Sequence, residues 1–287
     1  MSVTTLRQSL PRARRLVPRE HISSRVKVAF GLGFLGLLIL AALVFPLPHS
    51  PTATNPNALL QSPSRDHWFG TNSVGTDVFS RTIKAAETDL PLALAGTLAA
   101  LMIGVPLGIW LASSPRWGER WMRFLDAFQA LPLLILILAL VALSNNQLWM
   151  IIVAVAIYAG PVYIRLVRSQ VLSLREARFI EAAHASGAGP YRIMRYHLLP
   201  NVRGVILAQT SLVAAGALLG ITALSFLGIG VQPPTPSWGS MIALDSSALV
   251  EGHWWPVIGP GIAIFLSIVA FNLVADGFRE LGEDPVR

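Results

Sequence analysis

Side chains that could act as nucleophiles, proton donors or metal ligands are few in this sequence and widely spaced. The chain has six histidines and no cysteine, so thiolate chemistry and disulfides are excluded. The histidines fall in polar tails and loops, at His21, His49, His67, His184, His197 and His253. No two of them have the i,i+4 spacing that places two ligands on one helix face. We therefore interpret each as a solvated or interfacial side chain and predict no metal site.

Catalytic and nucleotide-binding patterns are also missing from the sequence. No Ser/His/Asp set and no pair of carboxylates has a spacing that supports nucleophilic or acid–base catalysis. A Gly-x-x-x-x-Gly-Lys-Ser/Thr motif, which would form a phosphate-binding loop, does not occur in the 287 residues. We therefore predict that the chain is not an enzyme by itself and binds no cofactor.

The densest group of small and charged side chains lies between residues 167 and 203. Gly187 supplies a helix-ending position with a permissive backbone. Pro190 is predicted to start a second short helix, residues 191–199, which Pro200 ends. Small and charged residues surround this bend, namely Arg178, Glu181, Ala182, Ala183, Ala185, Ser186, Arg192 and Arg195. The segment either docks in a groove of another protein or rests on anionic lipid, and the residues alone leave both interpretations open.

The elements that would hold this segment are apolar and long enough to cross a bilayer. The sequence is 53% hydrophobic and only 13% charged, whereas average usage is about 25% charged. Segments of about 20 apolar residues can each cross a hydrocarbon core of roughly 30 Å. The predicted spans are residues 28–45, 91–112, 124–143, 148–166, 205–227 and 256–275. The fold class is therefore an all-α polytopic membrane protein with about six transmembrane helices.

The starts of the first and second spans need interpretation. The first span follows a basic tail, as in a signal peptide, but its 18 residues exceed a typical apolar core of about 7–15, so we predict an uncleaved anchor. Pro91 is expected at the first position of the second helix, where its missing N–H costs nothing.

The distribution of basic residues predicts the orientation. With the N-terminus in the cytoplasm, the inner segments hold 7, 3, 7 and 2 Lys or Arg residues, which is 19 of the 22. This asymmetry places both termini inside. It also assigns the net charge of +7 to membrane orientation, so we predict no nucleic-acid partner. Trp117 and Trp121 are expected at the inner membrane edge, and Trp149, Trp254 and Trp255 at the outer edge.

Other polar or small residues allow more than one interpretation. The segment 232–239 is interpreted from its residues as a stiff external turn with Trp238 as an interface anchor. Asn272 and Asp276 are candidates for hydrogen bonds between helices, and Asp126 for an intramembrane acid. Glycines and prolines within the spans indicate either close helix packing or bent helices that line a pathway.

The bend resembles a known motif. Glu181-Ala182-Ala183, then Gly187, then His197-x-Leu199-Pro200, is similar to the EAA loop of ABC importer permeases. The resemblance implies that residues 181–187 form a coupling helix that docks in a cleft of a cytoplasmic ATPase. The residues assigned to this role are Glu181, Ala182, Ala183, Ala185, Ser186, Gly187, His197, Leu199 and Pro200.

Three further segments resemble the C-type permease subunit of dipeptide, oligopeptide and nickel importers. They are residues 67–81, 225–239 and 271–279. The family usually has an acidic residue at Asn72 and an arginine at Thr76. The resemblance implies a role near the gate or pathway for Gln232, Pro233, Pro234, Trp238 and Asn272.

A type I ABC importer permease fold follows from this resemblance. It divides the chain into a cytoplasmic tail (1–27), a first anchor (28–45), an extracytoplasmic loop (46–90), a permease core (91–279) that contains the coupling loop (167–203), and a second cytoplasmic tail (280–287). The implied partners are a homologous B-type permease, two ABC ATPase subunits that bind ATP and Mg, an extracytoplasmic solute-binding protein and the lipid bilayer.

The expected function is import of dipeptides or oligopeptides across the cytoplasmic membrane of a prokaryote. Import of nickel or another chelated metal is the alternative within the family, because the stretch 165–174 is about as similar to nickel permeases. A secondary transporter would usually carry charged residues within spans or paired repeats. A structural or sensor membrane protein would need no coupling loop.

Overall fold

The apolar segments of the chain form long helices in the computed structural model, which describes residues 23–130, 133–144 and 147–283. The helices are α1 (Ser24–Val44), α2 (Val78–Ser113), α3 (Pro115–Gln129), α4 (Leu133–Leu143), α5 (Leu148–Arg175), α6 (Arg178–Ala185), α7 (Pro190–Ile193), α8 (Leu199–Phe226), α9 (Trp238–Leu244), α10 (Ser246–Val250) and α11 (Trp255–Glu283). A π-helical turn, Met194–Leu198, joins α7 to α8. Within the described ranges, extended pairing is limited to one bridge between Thr71 and Asp77.

Five of the described helical segments are long and apolar enough to cross a membrane. They contain α1, α2, α5, α8 and α11. These five spans agree roughly with the prediction of about six membrane helices, and the all-α fold class is confirmed. The predicted boundaries of the tails, the loop and the core remain predictions, and residues 1–22 and 284–287 lie outside the described ranges.

The second span begins earlier than the sequence indicated. Helix α2 starts at Val78, because Oδ2 of Asp77 caps it by accepting a hydrogen bond from the Ser80 amide (2.8 Å). Pro91 therefore lies inside the helix rather than at its first position, and that prediction is wrong. The turns before Pro91 are retained because their apolar side chains are buried in the core, including Ala85, Ala86 and Leu90.

The third predicted span, residues 124–143, is divided between two helices. Helix α3 ends at Gln129 and α4 begins at Leu133, while residues 131 and 132 lie outside the described ranges. Helix α3 is amphipathic and exposes Trp117, Trp121 and Phe124. Its polar face is unsuited to hydrocarbon, so an interfacial position suits it better than a spanning one.

Close contacts between helices depend on glycines, as small residues in membrane helices predict. Helices α2 and α5 run parallel. A Cβ added to Gly104 would lie 2.6 Å from the Cβ of Tyr163, and one added to Gly108 would lie 2.9 Å from the Cβ of Val167. Helices α1 and α11 run antiparallel, and the side chains of Lys27 and Glu280 form an ion pair near their ends.

These directions bring all of the predicted inner segments to one end of the bundle. Arg175, which ends α5, donates to the carbonyl oxygen of Ala112 in α2 (2.8 Å). Gly204, near the start of α8, packs against Gly282, near the end of α11. The start of α1, the end of α11 and the bend at residues 176–190 therefore share this end, which we call the inner end.

The loop before α2 covers the opposite, outer end. Its Ser73 amide donates to Oδ1 of Asp245 (2.9 Å), and Nε1 of Trp255 donates to the carbonyl oxygen of Thr71 (3.0 Å). Asn72 is buried, and its Oδ1 accepts from the Thr76 amide (2.8 Å). This side-chain oxygen closes the turn, so the polar residue at position 72 has a local structural role.

Candidate functional site

Helix α6 presents most of its small residues to solvent at the inner end. Ile180 is fully buried, in a cluster with Val167 and Val171 of α5. Ala183 is half-buried on the same side of the helix. The remaining predicted residues, Glu181, Ala182, Ala185, Ser186 and Gly187, are exposed. The helix is therefore attached by one apolar face and leaves the other face available.

Gly187 ends α6 with a Schellman motif. Its φ is +77°, a conformation that side chains with a Cβ adopt at a cost. The Gly187 amide donates to the His184 carbonyl (2.9 Å), and the Ala188 amide donates to the Ala183 carbonyl (3.0 Å). The predicted helix end and bend are both confirmed.

The second half of the bend differs from the sequence prediction. Pro200 does not end a helix but lies in the first turn of α8. The π turn Met194–Leu198 accommodates it, because the Leu199 amide bonds five residues back to Met194. Nδ2 of Asn201 donates to the carbonyl oxygen of His197 (2.5 Å). Helical structure therefore continues through Pro200 into the membrane span.

His197 lies near α6, whereas Leu199 is the first residue of α8. The ring of His197 is 6.5 Å from that of Phe179, centroid to centroid. His197 is half-buried and Leu199 is exposed. The structure thus brings the predicted residues of the bend into one region, in two groups on successive helices. Their role as a coupling site remains a prediction.

An apolar groove runs along α5 and α8, and sequence reasoning did not locate it. It has a volume of about 190 Å³, and its walls include Tyr158, Gln209, Gly216 and Gly220. A second, more polar cavity of about 620 Å³ adjoins it, because both include Val162 and Gln209. Gln209, a polar residue within an apolar span, was the available signal in the sequence.

The polar cavity lies toward the inner end and contains charged side chains. Arg165 and Arg168 of α5 line it. Nη2 of Arg165 donates to Oδ1 of Asp126 in α3 (2.6 Å). Both partners are largely exposed, at 41% and 66% of their side-chain area, so Asp126 is a paired surface acid rather than a buried one. The groove and the cavity together provide an apolar-to-polar surface on one side of the bundle.

Trp238 is fully buried, so its interpretation as an interface anchor is wrong. Its Nε1 donates to the carbonyl oxygen of Thr82 (2.8 Å), and its amide donates to Oδ2 of Asp89 (2.8 Å). Both acceptors belong to α2. The chain turns inward after the proline-rich segment because these bonds attach it to α2. Sequence reasoning did not identify Asp89 as a partner.

The other predicted gate residues do not form one cluster. Pro233 and Pro234 are exposed and joined by a cis peptide bond. Nε2 of the exposed Gln232 donates to the Gly228 carbonyl (2.6 Å). Asn272 lies in α11, 17 residues after the first residue of that helix. At a rise of 1.5 Å per residue, this is about 25 Å along the helix axis. Their gating role is still a prediction.

The predicted bonds between helices at Asn272 and Asp276 are replaced by bonds within α11. Nδ2 of Asn272 donates to the carbonyl oxygen of Ile268 (2.9 Å). Asp276 approaches Arg279 at 4.0 Å. The partners, the Ile268 carbonyl and the Arg279 side chain, each lie one turn away on the same helix. These short side chains reach such partners more easily than a group on another helix.

Comparison with known proteins identifies the family. Residues 104–284, which include α6 and the groove, match the family of binding-protein-dependent transport system inner membrane components. This chain belongs to that family. The permease is 39% identical over 253 residues to the dipeptide transport system permease protein DppC of Alkalihalophilus pseudofirmus, covering 87% of this chain and 83% of that protein.

A second relative of the permease comes from a different bacterium. The di/tripeptide transport system permease protein DppC of Pseudomonas aeruginosa is 37% identical over 262 residues, covering 87% of this chain and 85% of that protein. The resemblance to the C-type permease subunits of peptide importers is therefore confirmed. These relatives are transport permease subunits, in agreement with the prediction of a non-catalytic membrane chain.

Proposed function

We propose that this permease is half of the membrane pathway of an ATP-driven importer of short peptides. The observation that carries the proposal is α6, a short helix fixed by Ile180 to α5 while its opposite face stays exposed. Such a helix fits a groove in a separate protein and transmits force to the spans. The peptide substrate is inferred from the names of the two DppC relatives.

The proposed coupling step moves α6 and the inner ends of α2 and α5 together. Two ABC ATPase subunits, which bind ATP and Mg, close on α6 and on its counterpart in a homologous B-type permease. Ile180 packs with Val167 and Ala112, and Arg175 bonds to Ala112 and Ser113. Because these contacts join three helices, displacement of α6 shifts the spans as a unit toward an outward-open state.

The orientation and remaining partners follow from charge and position. The bias of Lys and Arg toward the inner end supports a cytoplasmic location for that end, on the side of the ATPases. The loop between α1 and α2 (residues 45–77), which we call the outer cap, then faces an extracytoplasmic solute-binding protein that delivers the substrate. The groove along α5 and α8 faces the B-type permease, so that the two chains enclose the pathway.

The test compares two glutamates that are close in sequence. Glu181→Ala removes an exposed carboxylate from α6, whereas Glu176→Ala removes one from the turn before it. In the complete transporter in proteoliposomes, Glu181→Ala should abolish uptake of a labelled dipeptide and the ATP hydrolysis linked to it. Glu176→Ala should leave both near wild-type levels.

Replacement of Gly187 by a residue with a Cβ, such as Gly187→Val, should have the same effect as Glu181→Ala, because it strains the end of α6. Membrane insertion, measured by fractionation, should be intact in all variants. Unchanged uptake in both the Glu181 and Gly187 variants would contradict the proposed coupling role.

A further inference from the structure

The outer cap brings together three side chains that the transport proposal does not use. His49, His67 and Asp77 each offer a ligand atom, and these atoms lie within 4.8 Å of one another. The two histidines are half-buried and Asp77 is buried. We propose that His49, His67 and Asp77 form a binding site for a divalent transition-metal ion of the zinc and nickel class, resident in the outer cap.

The spacing of His67 and Asp77 fits direct coordination. Nδ1 of His67 is 2.8 Å from Oδ1 of Asp77. Two ligand atoms that each lie about 2.0–2.2 Å from a tetrahedral ion are about 3.3–3.6 Å apart, so these two atoms need to separate by less than about 1 Å. An ion can therefore replace the hydrogen between these atoms with little movement. His67 then carries its hydrogen on Nε2, and no net proton is lost from the neutral imidazole.

His49 can supply the third ligand atom. Its Nε2 lies 2.8 Å from the carbonyl oxygen of Asp66, to which it donates when the hydrogen is on Nε2. A backbone carbonyl in this position is a common outer partner of a ligating histidine, because it fixes the tautomer. The lone pair is then on Nδ1. The two imidazole rings are close, with centroids 4.4 Å apart.

The surrounding structure fixes the carboxylate of Asp77 and leaves a cavity beside the three side chains. Oδ2 of Asp77 accepts from the Ser80 amide (2.8 Å), so the carboxylate is fixed to the start of α2. A cavity of about 260 Å³ lies beside the three side chains. It provides space for His49 to move toward the ion and for water to complete the coordination.

The charges near the site select the class of ion. Arg81 is buried close by, and its Nη1 donates to the carbonyl oxygen of Pro51 (3.1 Å). Its positive charge, which Asp245 partly offsets, disfavours ions that are held by charge alone, so the two imidazole nitrogens decide which ion binds. Imidazole ligands suit zinc, copper and nickel, whereas magnesium and calcium prefer oxygen. The site therefore favours the first group.

Binding would tie two parts of the outer cap together. His49 lies five residues after the end of α1, while Asp77 caps α2. An ion shared by these residues fixes the segment between the first two spans to the start of α2. This role is independent of the transported substrate.

The experiment measures Zn²⁺ binding to the full-length chain in detergent micelles, purified with a tag that contains no histidine. Equilibrium dialysis gives the stoichiometry and Kd, and Co²⁺ absorption reports the geometry. His49→Gln keeps an N–H that can reach the Asp66 carbonyl but removes the imidazole. His253→Gln is the matched control, because His253 belongs to the outer end but not to the cluster.

The expected result is one Zn²⁺ per chain, with a Kd at least about tenfold weaker in His49→Gln and in His67→Gln, the lower bound for loss of a metal-site group. His253→Gln should bind as the wild type does. Thermal unfolding without metal confirms that His49→Gln is folded. Absence of stoichiometric Zn²⁺ in the wild type, or an unchanged Kd in folded His49→Gln, overturns the proposal.

Discussion

At the scale of single residues, the structure of the outer end depends on buried polar groups that form hydrogen bonds with one another. Trp238 directs its amide to Asp89 and its indole to Thr82, and all three residues are buried. A buried donor without an acceptor costs about 1–3 kcal/mol, so these pairs determine how the segment before α9 is attached. The same bonds fix the position of the proline-rich segment relative to α2.

Replacing Trp238 by phenylalanine tests how much the indole hydrogen bond contributes to stability, because most of the apolar side chain is kept. Trp238→Phe keeps most of the ring but removes the donor to Thr82 and leaves a small cavity, so we expect a loss of about 1–3 kcal/mol in unfolding free energy. Trp254→Phe is the control, because Trp254 is 51% exposed and should cost less than about 0.5 kcal/mol. Thermal unfolding in micelles measures both, and equal Tm values in the two variants would argue against the proposed role.

The sequence could not distinguish a buried tryptophan from an interfacial one at position 238. Both kinds follow a turn and precede a short helix, and only the placement of α2 decides between them. His49, His67 and Asp77 present the same difficulty. They have no local spacing that indicates a site, because a loop with several prolines brings them together. Gly187 could be predicted, because a helix end is set by neighbouring residues.

At the scale of elements, helix boundaries follow caps and contacts rather than hydropathy. Asp77 starts α2 far before the first apolar residue of the predicted span, and the π turn carries helical structure through Pro200. Hydropathy located the apolar part of each span but not the polar turns that extend it. Those turns persist because one face is buried, as at Ala85 and Ala86.

The parallel contact of α2 and α5 gives a prediction at this scale. Gly104→Ala places a methyl group 2.6 Å from the Cβ of Tyr163, so we expect overpacking to cost about 1–3 kcal/mol. Gly33→Ala in α1 has open space around the new methyl group and should stabilise the helix by up to about 1 kcal/mol. Opposite shifts in Tm are therefore expected. A rise in Tm for Gly104→Ala would contradict the close contact.

At the scale of the whole molecule, the bundle has one side that the helices described by the structure do not cover. The groove along α5 and α8 is lined mainly by apolar residues. A Cβ added to Gly216 or Gly220 meets nothing within 4 Å. Glycines four residues apart on an open helix face allow another helix to approach closely. The permease therefore has the surface that the proposed pairing with a B-type permease needs.

Gly220→Leu tests this pairing without disturbing the fold of the single chain. The Cβ of the new side chain meets nothing within 4 Å in the isolated permease, and the leucine extends into the groove, so we expect at least a tenfold loss in the amount of B-type permease that co-purifies. Thermal stability of the chain alone should be unchanged or higher, since leucine is a better helix former than glycine. Gly36→Leu on α1, which also meets open space, is the control and should retain the partner. Equal recovery of the partner with both variants would place the interface elsewhere, and loss with Gly36→Leu alone would move it to α1.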